Sequence, residues 1–371
     1  MQCITLTTKN KGGVNMDFIV ENAKKQIEET PIGMDQKQAC IRVVGVGGAG
    51  NNMVGWLYKK GIKGAEIVAC NTDQQHLNHT EADKKFLIGT EITRGLGCGG
   101  FAEKGAEAAQ ESIQELKETL KGSDMVFVCA GMGGGTGTGA APIIASIAKD
   151  TGAIVIGTVT MPFKIERARV DKAEFGLGQL RNFADTVIVI DNNRLVNIAG
   201  NLPIQQAFAV ANELISTMIK GIVETIAIPS LVNLDYADVK TIMTNGGVAA
   251  IGVGSSDTNN RVDEAVKGAL SNPLLDISYQ GAKGALIHIE GGEDLTLDEI
   301  NRVGELVTES LDDDANVIWG ARVTEEMKGK LTVMTIMTGV QSPWIIGKTA
   351  EKGLSAQAQE LQDELGIEII Q

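Results

Sequence analysis

Ala130-Gly-Met-Gly-Gly-Gly-Thr-Gly-Thr-Gly139 is the stretch on which the reading of this chain turns. Before it stands an apolar run, Met125-Val-Phe-Val-Cys129, that reads as a buried strand. After it, Ala140-Ala-Pro-Ile-Ile-Ala-Ser-Ile-Ala148 reads as a helix with Pro142 tolerated in its first turn. A glycine-rich loop between a strand and a helix N-terminus offers bare backbone N–H groups and the positive end of a helix dipole to an anion. Gly133, Gly134, Gly135, Gly137 and Gly139 carry no Cβ to obstruct a phosphate, and the hydroxyls of Thr136 and Thr138 can donate to its oxygens. Ordinary turn chemistry does not call for so many glycines.

Similar units lie upstream. Ile41-Arg-Val-Val-Gly-Val46 is a strand, and Gly45, Gly47 and Gly50 fit the dinucleotide fingerprint G-x-G-x-x-G, with a helix over Asn51–Tyr58. A second strand, Glu66-Ile-Val-Ala-Cys70, ends in Asn71-Thr-Asp73, an acidic residue where a Rossmann enzyme holds its ribose. By itself this pattern supports a nicotinamide or flavin oxidoreductase. Three features favour a nucleoside triphosphate. Asn51 and Asn52 can reach a phosphate or its hydrated metal; Arg94-Gly-Leu-Gly-Cys-Gly-Gly100 adds bare backbone after a third strand at Lys85-Phe-Leu-Ile88; and the 130–139 loop follows the fourth strand. The chain has no G-x-x-x-x-G-K-[ST], so backbone dipoles, hydroxyls and a cation must hold the phosphates without a P-loop lysine.

Downstream, Phe101–Lys121 reads as one long helix, and Ala153–Thr160 and Thr186–Ile190 as the fifth and sixth strands. Leu202–Ala227 is the longest helical pattern, with apolar residues beyond a single face, as expected of a central helix covered on more than one side. Phe208 and Asn212, four apart, share a face. After Pro229 come strands at Ala249–Val253, Ala285–Ile289, Asn316–Val323 and Leu331–Thr338, and helices at Arg261–Leu270 and Leu297–Leu311. The fold class is α/β: a doubly wound, mostly parallel sheet that binds the nucleotide, a long central helix, and a second, smaller α/β sandwich domain. The divisions are an N-terminal extension at 1–38, the nucleotide domain at 39–201, the central helix at 202–228, the second domain at 229–340 and a short tail at 341–371. Met16–Glu29 and Ser355–Leu365 are helical patterns within the two end pieces, the first suiting a docking helix better than a membrane anchor.

The totals narrow the classes. A chain of 371 residues suggests two domains, and 43% hydrophobic with 22% charged residues describes a soluble globular protein. A net charge of −14 without a basic patch argues against nucleic acid as a partner. Neither a membrane span nor a signal peptide is present, so a cytoplasmic site is expected. The five cysteines form no C-x-x-C pair, and His76 and His79 lack a third ligand nearby, so no protein-held metal is expected. Asp312-Asp-Asp314 and Glu111–Glu118 read as solvated faces.

Gly45-Val-Gly-Gly-Ala-Gly-Asn-Asn52, Gly133-Gly-Gly-Thr-Gly-Thr-Gly139 and Asn233-Leu-Asp-Tyr-Ala-Asp238 occur in that order. Together they resemble the tubulin/FtsZ family of filament-forming GTPases over about residues 40–340, with the look of an archaeal member. The resemblance implies GTP or GDP as ligand, and Mg2+ held mainly through the nucleotide. It implies that Gly48, Ala49, Gly50, Asn51 and Asn52, with Gly133, Gly134, Gly135, Thr136, Gly137, Thr138 and Gly139, hold the phosphates. Asn71 and Asp73 would lie near the phosphates and the cation, and Gly97, Gly99 and Gly100 in a loop sensing the γ-phosphate. Glu166 and Asn192 would face the ribose, Phe208 would stack on guanine, and Asn212 would accept from the base edge. The family pattern P-F-x-x-E-G-x-x-R is altered: Arg167 stands at the glycine and Val170 at the arginine, so Arg169 or Arg167 would take over that role.

Asp235 could simply cap the helix that follows it. Yet Asp235 and Asp238, with Asn233, form a polar cluster in a segment that has no phosphate loop of its own. Such a cluster suits activation of water at another subunit's γ-phosphate. The implied protein is a cell-division GTPase that assembles head to tail with itself at mid-cell and hydrolyses GTP only at the contact. A membrane-tethering partner is expected, but the chain has no long linker from which to carry one over. Two other classes stay open: a nucleotide-binding structural polymer with little hydrolysis, supported by the Arg167/Val170 change, and an NAD-dependent oxidoreductase.

Overall fold

The computed structural model describes residues 39–340 apart from 229, 233, 245, 272–281, 310 and 313. Asn233 and the helical patterns at Met16–Glu29 and Ser355–Leu365 lie outside the described residues. The first six strands are β1 (Ile41–Val46), β2 (Ala65–Asn71), β3 (Lys84–Leu87), β4 (Met125–Gly131), β5 (Ile154–Met161) and β6 (Thr186–Asp191). They pair in parallel in the order β3-β2-β1-β4-β5-β6. Val43 and Phe127 enter one core while Val44 and Val128 enter another on the opposite face. A strand covered on both faces has no solvent side, which is why these strands read as continuous apolar runs without alternation.

The connecting helices are α1 (Gly47–Lys60), α2 (Gln74–His79), α3 (Thr90–Thr93), α4 (Ala102–Glu111), α5 (Ile113–Leu120), α6 (Thr136–Asp150), α7 (Ala168–Arg181) and α8 (Asn192–Ala199). Leu57 of α1 is buried in the first core, and Leu116 of α5, Ile144 of α6 and Leu177 of α7 in the second. Helix α9 (Ile204–Ala227) has 24 residues, so it is about 36 Å long. Its Ile215, Ile219 and Ile222 join the first core, and its Glu213 accepts from Trp56 of α1 at 2.7 Å.

Helix α10 (Tyr236–Met243) leads into β7 (Gly247–Ser256), which pairs with β6 through Thr186↔Gly247 and Val187↔Val248. Then come α11 (Arg261–Leu270), β8 (Gly284–Gly291), α12 (Leu297–Thr308), β9 (Asn316–Val323) and β10 (Leu331–Thr338). Strand β10 lies antiparallel between β7 and β8, and β8 pairs with β9 in parallel.

Three expectations need correction. The helix over Phe101–Lys121 is broken at Ser112, whose side chain accepts from the Gly89 N–H at 3.2 Å. Helix α1 begins at Gly47 and α6 at Thr136, so the glycine-rich stretches form the first helical turns themselves. Pro142 consequently sits in the second turn of α6, not the first.

Candidate functional site

The carboxyl ends of β1, β2 and β4 open onto one cleft, where α1 and α6 begin. The first intrahelical bond at the mouth of α6 runs from Gly139 N–H to Gly135 O at 3.0 Å. The N–H groups of the preceding turn have no partner within the helix and face the cleft as a group. The glycines have different reasons. A Cβ on Gly139 would lie 1.9 Å from Ala102 O, on Gly137 2.5 Å from Gly131 O, and on Gly135 2.6 Å from Cys98 Cβ. These three let backbones pack. At Gly133, φ is +93° and a Cβ would meet Arg169 O at 2.8 Å. Only at Gly134, among the five, would a Cβ meet open space. In α1, Gly50 packs against Cys129 O, at 2.1 Å from a built Cβ, while Gly48 and Ala49 are exposed. Cys70 and Cys129 beneath the loops are buried thiols pushed up to about 12 by desolvation, which makes them inert packing residues.

The side chains of this turn are more inward than expected. Thr138 is 2% exposed, and its hydroxyl accepts from Gly133 N–H at 2.9 Å, so it braces the loop. Thr136 meets Thr72, hydroxyl to hydroxyl, at 2.7 Å. Asn51 is fully buried; its amide donates to Gly45 O at 2.9 Å and Cys70 O at 3.3 Å and accepts from Asn71 at 3.3 Å. Asn51 therefore clamps β1 to β2 and presents no side chain to a phosphate, whereas Asn52 is exposed. Asn71 accepts from Thr72 N–H at 2.9 Å, and Asp73 caps α2 by accepting from His76 N–H at 3.1 Å.

The loop over residues 94–100 closes one wall. Gly97 N–H donates to Thr72 O at 3.0 Å, and Gly97, Gly99 and Gly100 all have positive φ. Lys172 donates to Gly100 O at 3.0 Å and, with Lys104, flanks the exposed Phe101 ring. These cations give an acidic protein a basic rim at the mouth of the cleft. On the other wall, Glu166 accepts from Phe163 N–H at 3.0 Å and pairs with Arg169 at 2.6 Å. Arg167 has φ +43°, a backbone state that suits the glycine of the family pattern and strains any other residue. Phe208 is 41% exposed, with Phe163 edge-on to it at 6.2 Å. Asn212 shares a hollow with Asn52, Trp56 and His76, and Asn192 opens α8, half-buried. Thr72, Cys98 and Lys172 were not singled out from the sequence, because no motif marks them.

Asp235 and Asp238 form a reciprocal cap on α10. Asp235 accepts from Asp238 N–H at 2.8 Å, and Asp238 accepts from Asp235 N–H at 3.2 Å. Asp235 is exposed and Asp238 half-buried. Tyr236 hydroxyl donates to Asp124 O at 2.7 Å, just before β4 begins, and Thr186 hydroxyl at the start of β6 donates to Met243 O at 2.7 Å. Helix α10 is thus tied to the starting ends of β4, whose far end leads into the glycine-rich loop, and of β6, whose far end leads to Asn192. Strand β4 has 7 residues, so the two features are separated by about 20 Å along it.

The family model for the GTPase domain of the tubulin/FtsZ family matches residues 40–200, and that for the FtsZ family C-terminal domain matches residues 247–341. Cell division protein FtsZ 2 of Methanocaldococcus jannaschii is 57% identical over 89% of this chain and 88% of its own length. The FtsZ 2 protein of Halobacterium salinarum is 53% identical over 87% and 82%. The solved structure of an empty FtsZ dimer from M. jannaschii is 48% identical, covers 86% of this chain and 92% of its own, and superposes with a TM-score of 0.77. The G-x-G-x-x-G segment therefore belongs to a GTPase domain, and the oxidoreductase alternative falls.

Proposed function

This chain belongs to the tubulin/FtsZ family, and from that premise we propose a cell-division GTPase that hydrolyses GTP at the contact between two copies of itself. One observation carries this reading. The phosphate loops and the Asp235/Asp238 pair stand at opposite ends of β4, about 20 Å apart, so one subunit cannot bring both to the same phosphate. A second subunit stacked head to tail can. Such a contact joins unlike surfaces and propagates as a filament.

The cleft binds GTP through the N–H groups of the first turns of α1 and α6, with Phe208 on the guanine and Asn212 at its edge. Glu166, Arg169 and Asn192 line the ribose side. Asp235, Asp238 and Asn233 of the next subunit polarise the attacking water, and the N–H groups opening α6 stabilise charge developing on the phosphate. Mg2+ carried by the nucleotide would neutralise phosphate charge. Residues 39–201, 202–228 and 229–340 then act as nucleotide domain, connecting helix and activating domain. No helix among the described residues is long and apolar enough to cross a membrane. A separate tethering protein at mid-cell is part of the proposed function.

A mixture of two variants tests the mechanism. Asp238→Asn binds GTP but lacks the activating charge, while Gly134→Val keeps the carboxylates and loses the phosphate site. Mixed, they should release more phosphate than either alone. Parental activity in Asp238→Asn by itself would contradict the shared site.

A further inference from the structure

Three side chains from three different loops meet under the cleft. Thr72 follows β2 and is fully buried, Cys98 lies in the 94–100 loop and is 3% exposed, and Thr136 opens α6. Thr136 hydroxyl donates to Cys98 Sγ at 3.5 Å, Thr72 and Thr136 hydroxyls lie 2.7 Å apart, and Thr72 Oγ1 lies 3.4 Å from Cys98 Sγ. Each of these groups owns one hydrogen. With Thr136 donating to sulfur, the short hydroxyl contact is Thr72 donating to Thr136. Thr72 is then left as the acceptor for the Cys98 S–H. The three bonds close a ring, Thr136 to Cys98 to Thr72 and back to Thr136.

In the closed ring every hydrogen points inward, so Thr136 has none to offer a phosphate although it is half-exposed at the mouth of α6. Sulfur is a weak acceptor, and a phosphate oxygen is a strong, charged one. A phosphate arriving at the first turn of α6 therefore takes the Thr136 hydrogen and breaks the Thr136–Cys98 bond, the side-chain hydrogen bond joining the 94–100 loop to that helix. We propose that Cys98 is a positioning residue that ties this loop to α6 and releases it when a bound phosphate claims the Thr136 hydroxyl. The assignment rests on the GTP reading of the cleft. It makes the loop's attachment depend on occupancy through one replaceable atom.

The test compares full-length parent, Cys98→Ala and Cys98→Ser in calorimetric titrations with GTP and with GMP, without added divalent cation. Cys98→Ala leaves the Thr136 hydrogen uncommitted, so GTP should bind about two- to tenfold tighter, the range of one neutral hydrogen bond. GMP, which lacks the β- and γ-phosphates, should stay within about twofold by the same scale. Cys98→Ser rebuilds the ring with a stronger acceptor and should bring GTP affinity back to the parental value or below it. Unchanged or weaker GTP binding in Cys98→Ala overturns the assignment, and so does an equal shift for GMP. Thr72→Val, nearly the same shape, removes the acceptor of the Cys98 S–H while leaving Cys98 in place; it weakens the ring and should move GTP affinity in the same direction, so a poorly folded Cys98→Ala does not block the test. A parent that fails to bind GTP would instead defeat the reading of the cleft itself.

Discussion

The two ends of β4 are built on opposite plans. At its carboxyl end the site is backbone: Gly50, Gly137 and Gly139 are there because a neighbouring carbonyl lies within 2.5 Å of where a Cβ would be, and the same close packing aims the N–H groups at the cleft. At its amino end the site is side chain: two carboxylates at the start of α10 that cap their own helix. At the first end Gly135, Gly137 and Gly139 cannot be altered without disturbing the core, and Gly134 can. The second end can be changed almost alone. Under the proposed mechanism, binding rests on the packed backbone of the fold, while activation is a surface property that another subunit borrows.

The largest contrast lies within the glycine loop itself. Gly139→Val drives a side chain into Ala102 O and should cost more than about 4 kcal/mol, seen as lost cooperative unfolding. Gly134→Val points into open space, so it should melt like the parent and yet lose GTP binding in calorimetry. This separation replaces the simpler expectation that any of the five glycines guards the phosphate. Gly135 would not serve, because a side chain there meets Cys98 and the Phe101 backbone.

At the other end, Asp238→Asn keeps an oxygen for the Asp235 N–H and removes the charge. Phosphate release should fall about 10²- to 10⁴-fold, the usual share of a general base, while GTP affinity stays close to parental. Asp238→Ala should lose the same activity and also about 1 kcal/mol of stability, because the bond its carboxylate accepts from Asp235 N–H goes with it, while Asp235 still caps the helix.

Strands β7 to β10 offer a control that touches neither end. His288 in β8 is buried with Nδ1 unpartnered, and burial, helped by Arg322, pushes it down to about 4. A histidine lowered in the folded state contributes stability above its unfolded value of about 6.5, and that contribution is lost as the pH falls towards 4. Urea unfolding should show about 2 kcal/mol less stability from this group at pH 5 than at pH 7, and His288→Gln should flatten the slope. Smaller still is the base pocket. Phe208→Ala should weaken all purine nucleotides by about 1–3 kcal/mol, because stacking does not discriminate. Asn212→Ala should narrow the gap between GTP and ATP, read by competition binding.

The central parallel strands β1, β4, β5 and β6 were legible because they are covered on both faces and read as apolar runs; β1, and with it β9 and the antiparallel β10, match their expected bounds residue for residue. The starts of α1 and α6 were not, since glycines argue against helix until tertiary packing demands them. Likewise, the glycine loops announced an anion cleft, but which side chains face it was hidden. Asn51 and Thr138 look like ligand residues in sequence, and folding turns them inward to satisfy buried backbone. Cys98 and Thr72 sit in loops whose meeting depends on how β2, β4 and the 94–100 segment pack, and no local pattern encodes that. The separation of carboxylates from cleft was equally invisible without the tie from Tyr236 to Asp124.

Phosphate release per subunit, measured against total protein concentration with light scattering in parallel, bears most directly on the shared site. With the cleft and the carboxylates on different copies, release per subunit should be near zero at low concentration and rise steeply where scattering rises. A rate per subunit that stays constant across concentration, with no scattering, would mean that one chain holds a complete site and would contradict the division of labour between the two ends of β4.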